Sequence, residues 1–206
     1  MIIKVCGMRE AKNIRDLDNL NLIDMMGFIF YPKSKRFVLQ KPDYLPVNCK
    51  RVGVFVNSST EEILDKIDDF HLDFIQLHGT ELVEQCKEII NNRPIQLIKA
   101  FSIAETIDFN KVQSYEEVCD YFLFDTTSKE YGGSGKTFNW ELLHNYKGKT
   151  SFILSGGIKP NSLTELKRFH HSRWAGIDLN SGFEIAPAQK DISTLSSFIS
   201  VFKYNN

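Results

Sequence analysis

The sequence predicts an α/β protein folded as a single (β/α)8 TIM barrel. Eight short apolar segments recur along the chain, and nearly all are followed by a segment with helical periodicity. No linker or low-complexity stretch interrupts this alternation, so residues 1–206 are expected to form one domain. The length lies near the small end for this fold, roughly 200 to over 400 residues. A doubly wound open sheet usually has fewer strands and is less favoured.

The predicted strands are short runs rich in branched and aromatic residues. They span residues 2–5, 26–30, 51–56, 73–77, 95–101, 121–124, 151–154 and 175–179. Helices are predicted at residues 10–22, 60–70, 81–91 and, less regularly, 104–115, and then from residues 140, 160 and 192 onward. Residues 57–60 supply N-cap chemistry for the second helix. Two prolines between residues 41 and 46 leave room only for a short helical turn.

Composition excludes several classes of function. Hydrophobic residues make up 42% of the chain and the net charge is −1, whereas a general nucleic-acid binder carries a basic excess. No apolar run reaches the length of a membrane span, and the apolar start of the chain is too short for a signal peptide. The four cysteines form no C-x-x-C pair, so we expect no metal site or redox motif. Free thiols predict a cytoplasmic protein.

The stretch from residue 121 to 140, YFLFDTTSKEYGGSGKTFNW, has the pattern of a functional strand end. An apolar strand is followed by Asp125, a glycine-rich loop at residues 132–137 and the start of a helix. Glu130 stands where a P-loop has its first glycine, and Phe138 breaks the dinucleotide fingerprint. The loop would still let backbone N–H groups approach an anion, although a flexible solvent loop explains these residues equally well.

In such a barrel the residues that follow the strands share one rim, which carries the active site. Cys6 is expected to be half exposed there and able to ionise, the alternative being a buried structural cysteine. His78 is expected to be a structural or ring-stacking neighbour. The glycine-rich turns at residues 155–157 and 180–182 favour phosphate binding, the alternative being tight turns that need positive φ.

Seven short motifs occur in an order that resembles a known enzyme family. They are KVCGM at residues 4–8, GFIFYPKSKR at 27–36, VGVFVN at 52–57, QLHG at 76–79, GGSGKTF at 132–138, LSGGI at 154–158 and DLNSGFE at 178–184. The match runs from Lys4 to the C-terminal helix, essentially the whole chain, which resembles the phosphoribosylanthranilate isomerases of tryptophan biosynthesis.

The resemblance implies a barrel without a cofactor that carries out the Amadori-type isomerisation of N-(5-phosphoribosyl)anthranilate. The family's general base, a cysteine of the first strand, corresponds to Cys6, and its general acid corresponds to Asp125. The arginine that ends the loop after the second strand, here Arg36, binds the anthranilate carboxylate in the family. The other candidate substrate-binding residues are Gly133, Gly135, Gly156, Gly157, Asp178, Ser181 and Gly182.

The departures from the family are small. Asn139 replaces a frequent aspartate and Asn180 a frequent serine, and both changes concern loop anchoring and the phosphate rim rather than the acid or the base. The expected partner is a small phosphosugar, with neither nucleic acid nor a membrane involved. Family members occur as monomers and as dimers, so a monomer and a homodimer both remain open.

Other phosphosugar barrels are the main alternatives. A histidine-pathway aminoaldose isomerase typically uses two carboxylates, and a pentose-phosphate epimerase needs metal ligands, so Cys6 at the first strand argues against both. A barrel that only binds a phosphorylated metabolite would be expected to have lost Cys6 or Asp125, and both are present.

Overall fold

Eight parallel strands form a closed barrel in the computed structural model, which describes residues 1–103, 107–126 and 140–204. The strands are β1 (Ile2–Val5), β2 (Met25–Ile29), β3 (Lys50–Phe55), β4 (Phe74–Leu77), β5 (Gln96–Ile103), β6 (Tyr121–Thr126), β7 (Ser151–Ser155) and β8 (Trp174–Leu179). Each strand pairs with the next in chain order, and β1 closes the barrel on β8 with Lys4 opposite Asp178. The predicted fold class is confirmed.

Helices surround the barrel. They are α1 (Ala11–Asp18), α2 (Thr60–Phe70), α3 (Val83–Asn92), α4 (Phe109–Gln113), α5 (Leu163–Arg168) and α6 (Ile192–Tyr204). Short 3-10 helices cover Trp140–Asn145, Pro160–Ser162 and Ser181–Phe183. After β8 the chain forms a small antiparallel hairpin of β9 (Glu184–Ala186) and β10 (Gln189–Lys190), which the sequence did not predict.

Helix α2 shows how the sequence directs a local structure. The Ser59 side chain accepts a hydrogen bond from the backbone N–H of Glu62, and the Glu62 carboxylate accepts one from the backbone N–H of Ser59. This capping box satisfies two N–H groups that have no partner inside the helix. One face of the helix, with Ile63, Ile67 and Phe70, is buried against the barrel. The predicted N-cap of this helix is confirmed.

The segment between β2 and β3 contains no helix, which agrees with the limit of a short helical turn set by the two prolines at residues 41–46. The carboxylate of Asp18 organises this segment. It accepts hydrogen bonds from the Tyr44 hydroxyl at 2.7 Å, from the backbone N–H of Val47 at 3.0 Å and from that of Asn48 at 3.0 Å. The Asp18 carboxylate thus provides hydrogen-bond acceptors for backbone N–H groups that would otherwise need backbone acceptors, such as those of a helical turn.

Three of the predicted helices differ from the helices observed. Helix α1 ends at Asp18, and Asn21 beyond it has a left-handed backbone with φ 53°. Helix α3 begins at Val83 because Glu81 turns inward to bind backbone and Lys99, which leaves Leu82 exposed. The helix predicted from residue 140 is a 3-10 helix. Residues 104–106 of the less regular helix lie outside the described residues.

Side chains inside the barrel form two zones. Toward the amino ends of the strands the interior is apolar, filled by Met25, Val52, Phe74, Ile98, Ala100, Leu123 and Ile153. Ile2 packs against this cluster. Because side chains alternate along a strand, Lys4 and then Cys6 follow Ile2 on the same inward face. The polar side chains therefore collect at the carboxyl ends, above an apolar floor.

Candidate active site

A cavity of about 330 Å³ opens at the carboxyl ends of the strands. Cys6 and Asp125 both border it, as do the predicted binding residues Gly156, Gly157, Asp178, Ser181 and Gly182. Gly133 and Gly135 lie outside the described residues. A larger cavity of about 720 Å³ lies at the amino ends, bordered by residues such as Asp24, Lys50 and Asp73. It contains none of the predicted site residues, and active sites of this fold lie at the carboxyl ends.

Cys6 follows β1 directly and is only 4% exposed, so the expectation of a half-exposed thiol is wrong. Gly27 on the neighbouring strand makes room for it, since a Cβ atom there would lie 2.8 Å from the Cys6 Sγ. Burial raises the pKa of the Cys6 thiol, and the positive charges of Lys4 and Lys190 only partly oppose this. A thiolate at this position therefore depends on nearby cations.

Lys4 is the closest of these cations. Its side chain is completely buried, its Nζ lies 3.0 Å from Asp178 Oδ1, and its positive charge acts on the thiol of Cys6, two residues further along. Burial alone would lower the pKa of Lys4, but the charges of Asp178 and Cys6 outweigh it and raise that pKa. Lys4 is therefore held as an ammonium group between a carboxylate and the thiol. Sequence reasoning missed this residue, although it stands inside the first motif.

Asp125 lies at the end of β6 and remains 25% exposed. Its Oδ2 lies 3.1 Å from Nε2 of His78, and the other ring nitrogen of His78 lies 2.9 Å from Nε2 of Gln76. The imidazole is thus a polar partner of the predicted acid, rather than only the structural or ring-stacking neighbour expected from the sequence. No local pattern reveals this contact, because 47 residues separate His78 from Asp125.

Arg36 is not among the residues that border this cavity; it lies next to Gly7 and is held by Glu184 of the hairpin. Its Nε lies 2.8 Å from Glu184 Oε1 and its Nη2 lies 2.5 Å from Oε2. Glu184 also accepts a hydrogen bond from the buried Lys190 at 2.6 Å. Burial would raise the pKa of Glu184, but the hydrogen bonds from Arg36 and Lys190 outweigh it and lower that pKa. Glu184 and Lys190 are site residues that sequence reasoning missed.

Gly7 permits this placement of Arg36. Its φ of +76° lies in the left-handed region, and a Cβ atom there would lie 2.6 Å from Arg36 Cδ and 2.8 Å from Asn180 Oδ1. Any larger residue would meet both the conformational penalty and the steric contact. The short motif KVCGM therefore carries the candidate base, its ammonium neighbour and the space for the arginine.

The two glycine-rich turns border the same cavity. Gly156 and Gly157 have φ values of 80° and 68°. These positive values are the ones that a tight turn needs, which was the alternative to phosphate binding. Gly182 packs against the backbone of the first turn, since a Cβ atom there would lie 2.2 Å from the carbonyl oxygen of Ile158. Small side chains leave backbone groups accessible at this edge, so phosphate binding remains a prediction that the geometry permits.

Two further features bear on function. Within the described residues, no group of three or more His, Cys, Asp or Glu side chains is placed to hold a metal ion. No helix in that part of the chain is both long and apolar enough to span a membrane.

A family model and two similar relatives agree on one family. A family model described as N-(5'-phosphoribosyl)anthranilate (PRA) isomerase matches residues 3–201. The chain is 56% identical over 203 residues to the N-(5'-phosphoribosyl)anthranilate isomerase of Phocaeicola vulgatus, covering 98% of both chains. It is 52% identical over 205 residues to that of Parabacteroides distasonis, covering 97% of this chain and 92% of the relative.

A solved structure is similar over nearly the whole chain. It is a crystal structure of phosphoribosyl anthranilate isomerase in complex with reduced 1-(o-carboxyphenylamino)-1-deoxyribulose 5-phosphate. The TM-score is 0.81 and the sequence identity 31%, with 99% of this chain and 100% of that chain covered.

Proposed function

The chain belongs to the N-(5'-phosphoribosyl)anthranilate isomerase family, and from that premise we propose that Cys6 is the general base and Asp125 the general acid of its reaction. The chain is an aldose–ketose isomerase of tryptophan biosynthesis. It converts N-(5'-phosphoribosyl)anthranilate into 1-(2-carboxyphenylamino)-1-deoxyribulose 5-phosphate. The observation that carries the proposal is the single cavity bordered by both Cys6 and Asp125.

The acid step opens the ribose ring. Asp125 donates a proton to the ring oxygen, the bond from C1′ to that oxygen breaks, and the nitrogen lone pair forms a C1′=N double bond. His78 already occupies Oδ2 of Asp125, so the other carboxyl oxygen is the one that carries the proton to the substrate. Proton transfer by a positioned side chain contributes about 10²–10⁴-fold to the rate.

The base step follows at the neighbouring carbon. The positive charge on the Schiff base acidifies the proton on C2′, and the Cys6 thiolate removes it. The electrons of that C–H bond form the C1′=C2′ double bond, which neutralises the nitrogen and yields the enol form of the product. Lys4 supplies the positive charge that a buried thiolate requires.

Arg36 is proposed to bind the anthranilate carboxylate. Glu184 occupies the edge of the guanidinium formed by Nε and Nη2. Nη1 donates to no carboxylate within the described residues, so the edge formed by Nη1 and the second N–H of Nη2 can still bind the substrate, and this edge has the fork geometry that suits a planar carboxylate. The ion pair with Glu184 therefore fixes the direction in which the remaining donors point.

The phosphate is proposed to bind at Gly156, Gly157, Ser181 and Gly182. These residues border the cavity together, after β7 and β8, which is the usual phosphate position in this fold. We also propose that residues 1–206 act as a single catalytic domain without a metal or cofactor, in the cytoplasm, as a monomer or a homodimer.

The direct test is a fluorescence assay that follows the loss of phosphoribosylanthranilate, generated in situ because it is labile. We expect turnover by the purified chain without added metal or cofactor. Turnover that requires either would contradict the proposed mechanism, and turnover of a histidine-pathway aminoaldose or a pentose phosphate in its place would contradict the substrate.

A further inference from the structure

Gln76 is a buried amide at the floor of the cavity that the proposed mechanism does not use. It lies near the end of β4, between Val54 of β3 and Ile98 of β5, and it is 1% exposed. Phe74, two residues earlier, belongs to the apolar cluster inside the barrel. Gln76 therefore points inward at the level where that apolar interior gives way to the cavity. A polar side chain in such a place normally has both ends hydrogen-bonded.

One end of the amide is hydrogen-bonded to the imidazole beside the proposed acid. Gln76 Nε2 lies 2.9 Å from His78 Nδ1, and His78 Nε2 lies 3.1 Å from Asp125 Oδ2. The backbone N–H of His78 also donates to the carbonyl of Phe55 at 2.8 Å, which fixes the start of the loop. The three side chains thus form a continuous chain of hydrogen bonds from β4 to β6.

The chemistry of an amide decides which form of His78 fits this chain. An amide nitrogen only donates, so Nδ1 of His78 must accept and carries no proton. The single proton of the neutral ring then lies on Nε2, where it points at Asp125. With the opposite tautomer, Nε2 would compete with the substrate for the proton of Asp125.

The other end of the amide is open to a hydrogen-bond donor from a bound ligand. Gln76 Oε1 is buried without a hydrogen-bond partner within the described residues, and Gln76 borders the cavity. A hydroxyl group of a bound sugar is a donor that suits this carbonyl oxygen. Rotating the amide by half a turn would place a donor against the ligand and an acceptor against His78, which reverses both contacts.

Building on the proposed acid role of Asp125, we infer that Gln76 is a positioning residue. It holds His78 in the neutral form protonated on Nε2, so that His78 donates to one oxygen of Asp125 and leaves the other free for the substrate. Its effect on Asp125 passes through His78, and Gln76 has no contact with the reacting proton.

Nitrogen NMR of enzyme labelled with ¹⁵N-histidine reads this form directly. The five histidines are separated by the loss of one set of signals in His78→Asn. We expect His78 to show a protonated Nε2 and an unprotonated Nδ1 near neutral pH. A protonated Nδ1 in the wild type would overturn the inference without any variant at position 76.

Two substitutions sharpen the test. Gln76→Met keeps the length and removes both ends of the amide, so His78 should lose its single tautomer and kcat should fall about tenfold, the effect of one hydrogen bond. An ionised carboxylate in Gln76→Glu offers only acceptors, so Nδ1 of His78 should become protonated at a pH where that carboxylate is charged. An unchanged Nε2–H tautomer in folded Gln76→Met would contradict the inference, as would an unprotonated Nδ1 in Gln76→Glu.

Gln85→Met is the matched control, because Gln85 also donates one hydrogen bond, to the carbonyl of Ser58 at 2.9 Å, but lies on α3. It should leave the His78 signals and kcat unchanged. Two measurements together would show that this inference alone has failed. His78 of the wild type would carry a proton on Nδ1, while Asp125→Asn would still abolish the activity. Failure of the proposed function would show as full kcat in Asp125→Asn, whatever form His78 takes.

Discussion

Cys6 and Asp125 border the same cavity but lie in opposite environments. Cys6 is 4% exposed and has the buried ammonium groups of Lys4 and Lys190 near it. Asp125 is 25% exposed and has an imidazole as its partner. Burial penalises a thiolate, so the base side needs fixed positive charge. Asp125 lies at the rim of the cavity, where solvent and the imidazole of His78 can hydrogen-bond its carboxyl group without a fixed positive charge.

The two halves of the site should therefore respond differently to substitution. On the base side, the charges of Cys6, Lys4 and Asp178 are buried together. Removing one of these charges changes the free energy of the other two. On the acid side, the effect of a substitution depends mainly on hydrogen-bond geometry.

Asp125→Asn should lower kcat at least about 10²-fold and change substrate affinity little. Asparagine keeps the shape and an acceptor for His78 but has no acidic proton to donate. Steady-state kinetics with the fluorescent substrate would measure the loss. Asp120→Asn is the control. Asp120 lies at the amino end of β6, far from the cavity, and its carboxylate accepts a hydrogen bond from the backbone N–H of Leu97. A near wild-type kcat in Asp125→Asn would remove this residue from the mechanism.

Arg36→Ala should raise KM by roughly 10- to 150-fold, which corresponds to the ~1.5–3 kcal/mol of a charged hydrogen bond. Arg36→Lys should restore little, since an ammonium group cannot reproduce the fork. Arg93→Ala, which breaks an exposed pair with Asp68, is the matched control and should leave KM unchanged. An unchanged KM in Arg36→Ala would mean that the carboxylate binds elsewhere.

Glu184→Gln should have the smallest effect, a rise in KM of roughly three- to tenfold, because Arg36 loses its charged anchor but keeps its donors. The pKa of Glu184 is lowered in the folded protein. Its carboxylate therefore stabilises the fold fully at a pH above the pKa that Glu184 has in the unfolded chain. This stabilisation is lost as the pH falls through the pKa that Glu184 has in the folded protein. Urea unfolding should therefore show the greatest difference from the wild type near neutral pH, and this difference should shrink as the pH falls below the unfolded value of about 4.3 and on through the lower folded value. Glu117→Gln, at an exposed pair with Lys149, is the control. A difference that does not shrink as the pH falls would contradict this account of Glu184.

The fold and the two chemical groups were within reach of the sequence. Eight apolar segments in alternation predict the barrel, and the position of Cys6 and Asp125 after their strands places both at one rim. Contacts between residues far apart in the chain were not predictable. The pair of Arg36 and Glu184 spans 148 residues, and no local pattern records it.

The exposure of Cys6 was the main error, and its cause is physical. A residue just beyond a strand is expected to reach solvent, but Gly27 leaves a space into which the thiol fits. Likewise, residues 81 and 82 read as the start of a helix, whereas Glu81 is held by Lys99 and by the backbone N–H of Gly79. Tertiary contacts decide both cases, and helical propensity is too weak to oppose them.

The pH dependence of Cys6 alkylation, measured beside kcat/KM, tests the central claim most directly. Iodoacetamide reacts with the thiolate, and peptide mass spectrometry separates Cys6 from the other cysteines. Since burial raises the pKa of Cys6, both the alkylation rate and kcat/KM should rise together with pH, with a midpoint above the ordinary thiol value of about 8.5. A bound product analogue should slow the alkylation, and Cys6→Ser should fold, bind that analogue and lose most of kcat along with this limb. Full activity in Cys6→Ser, or the same acid limb without the thiol, would show that the base is another group.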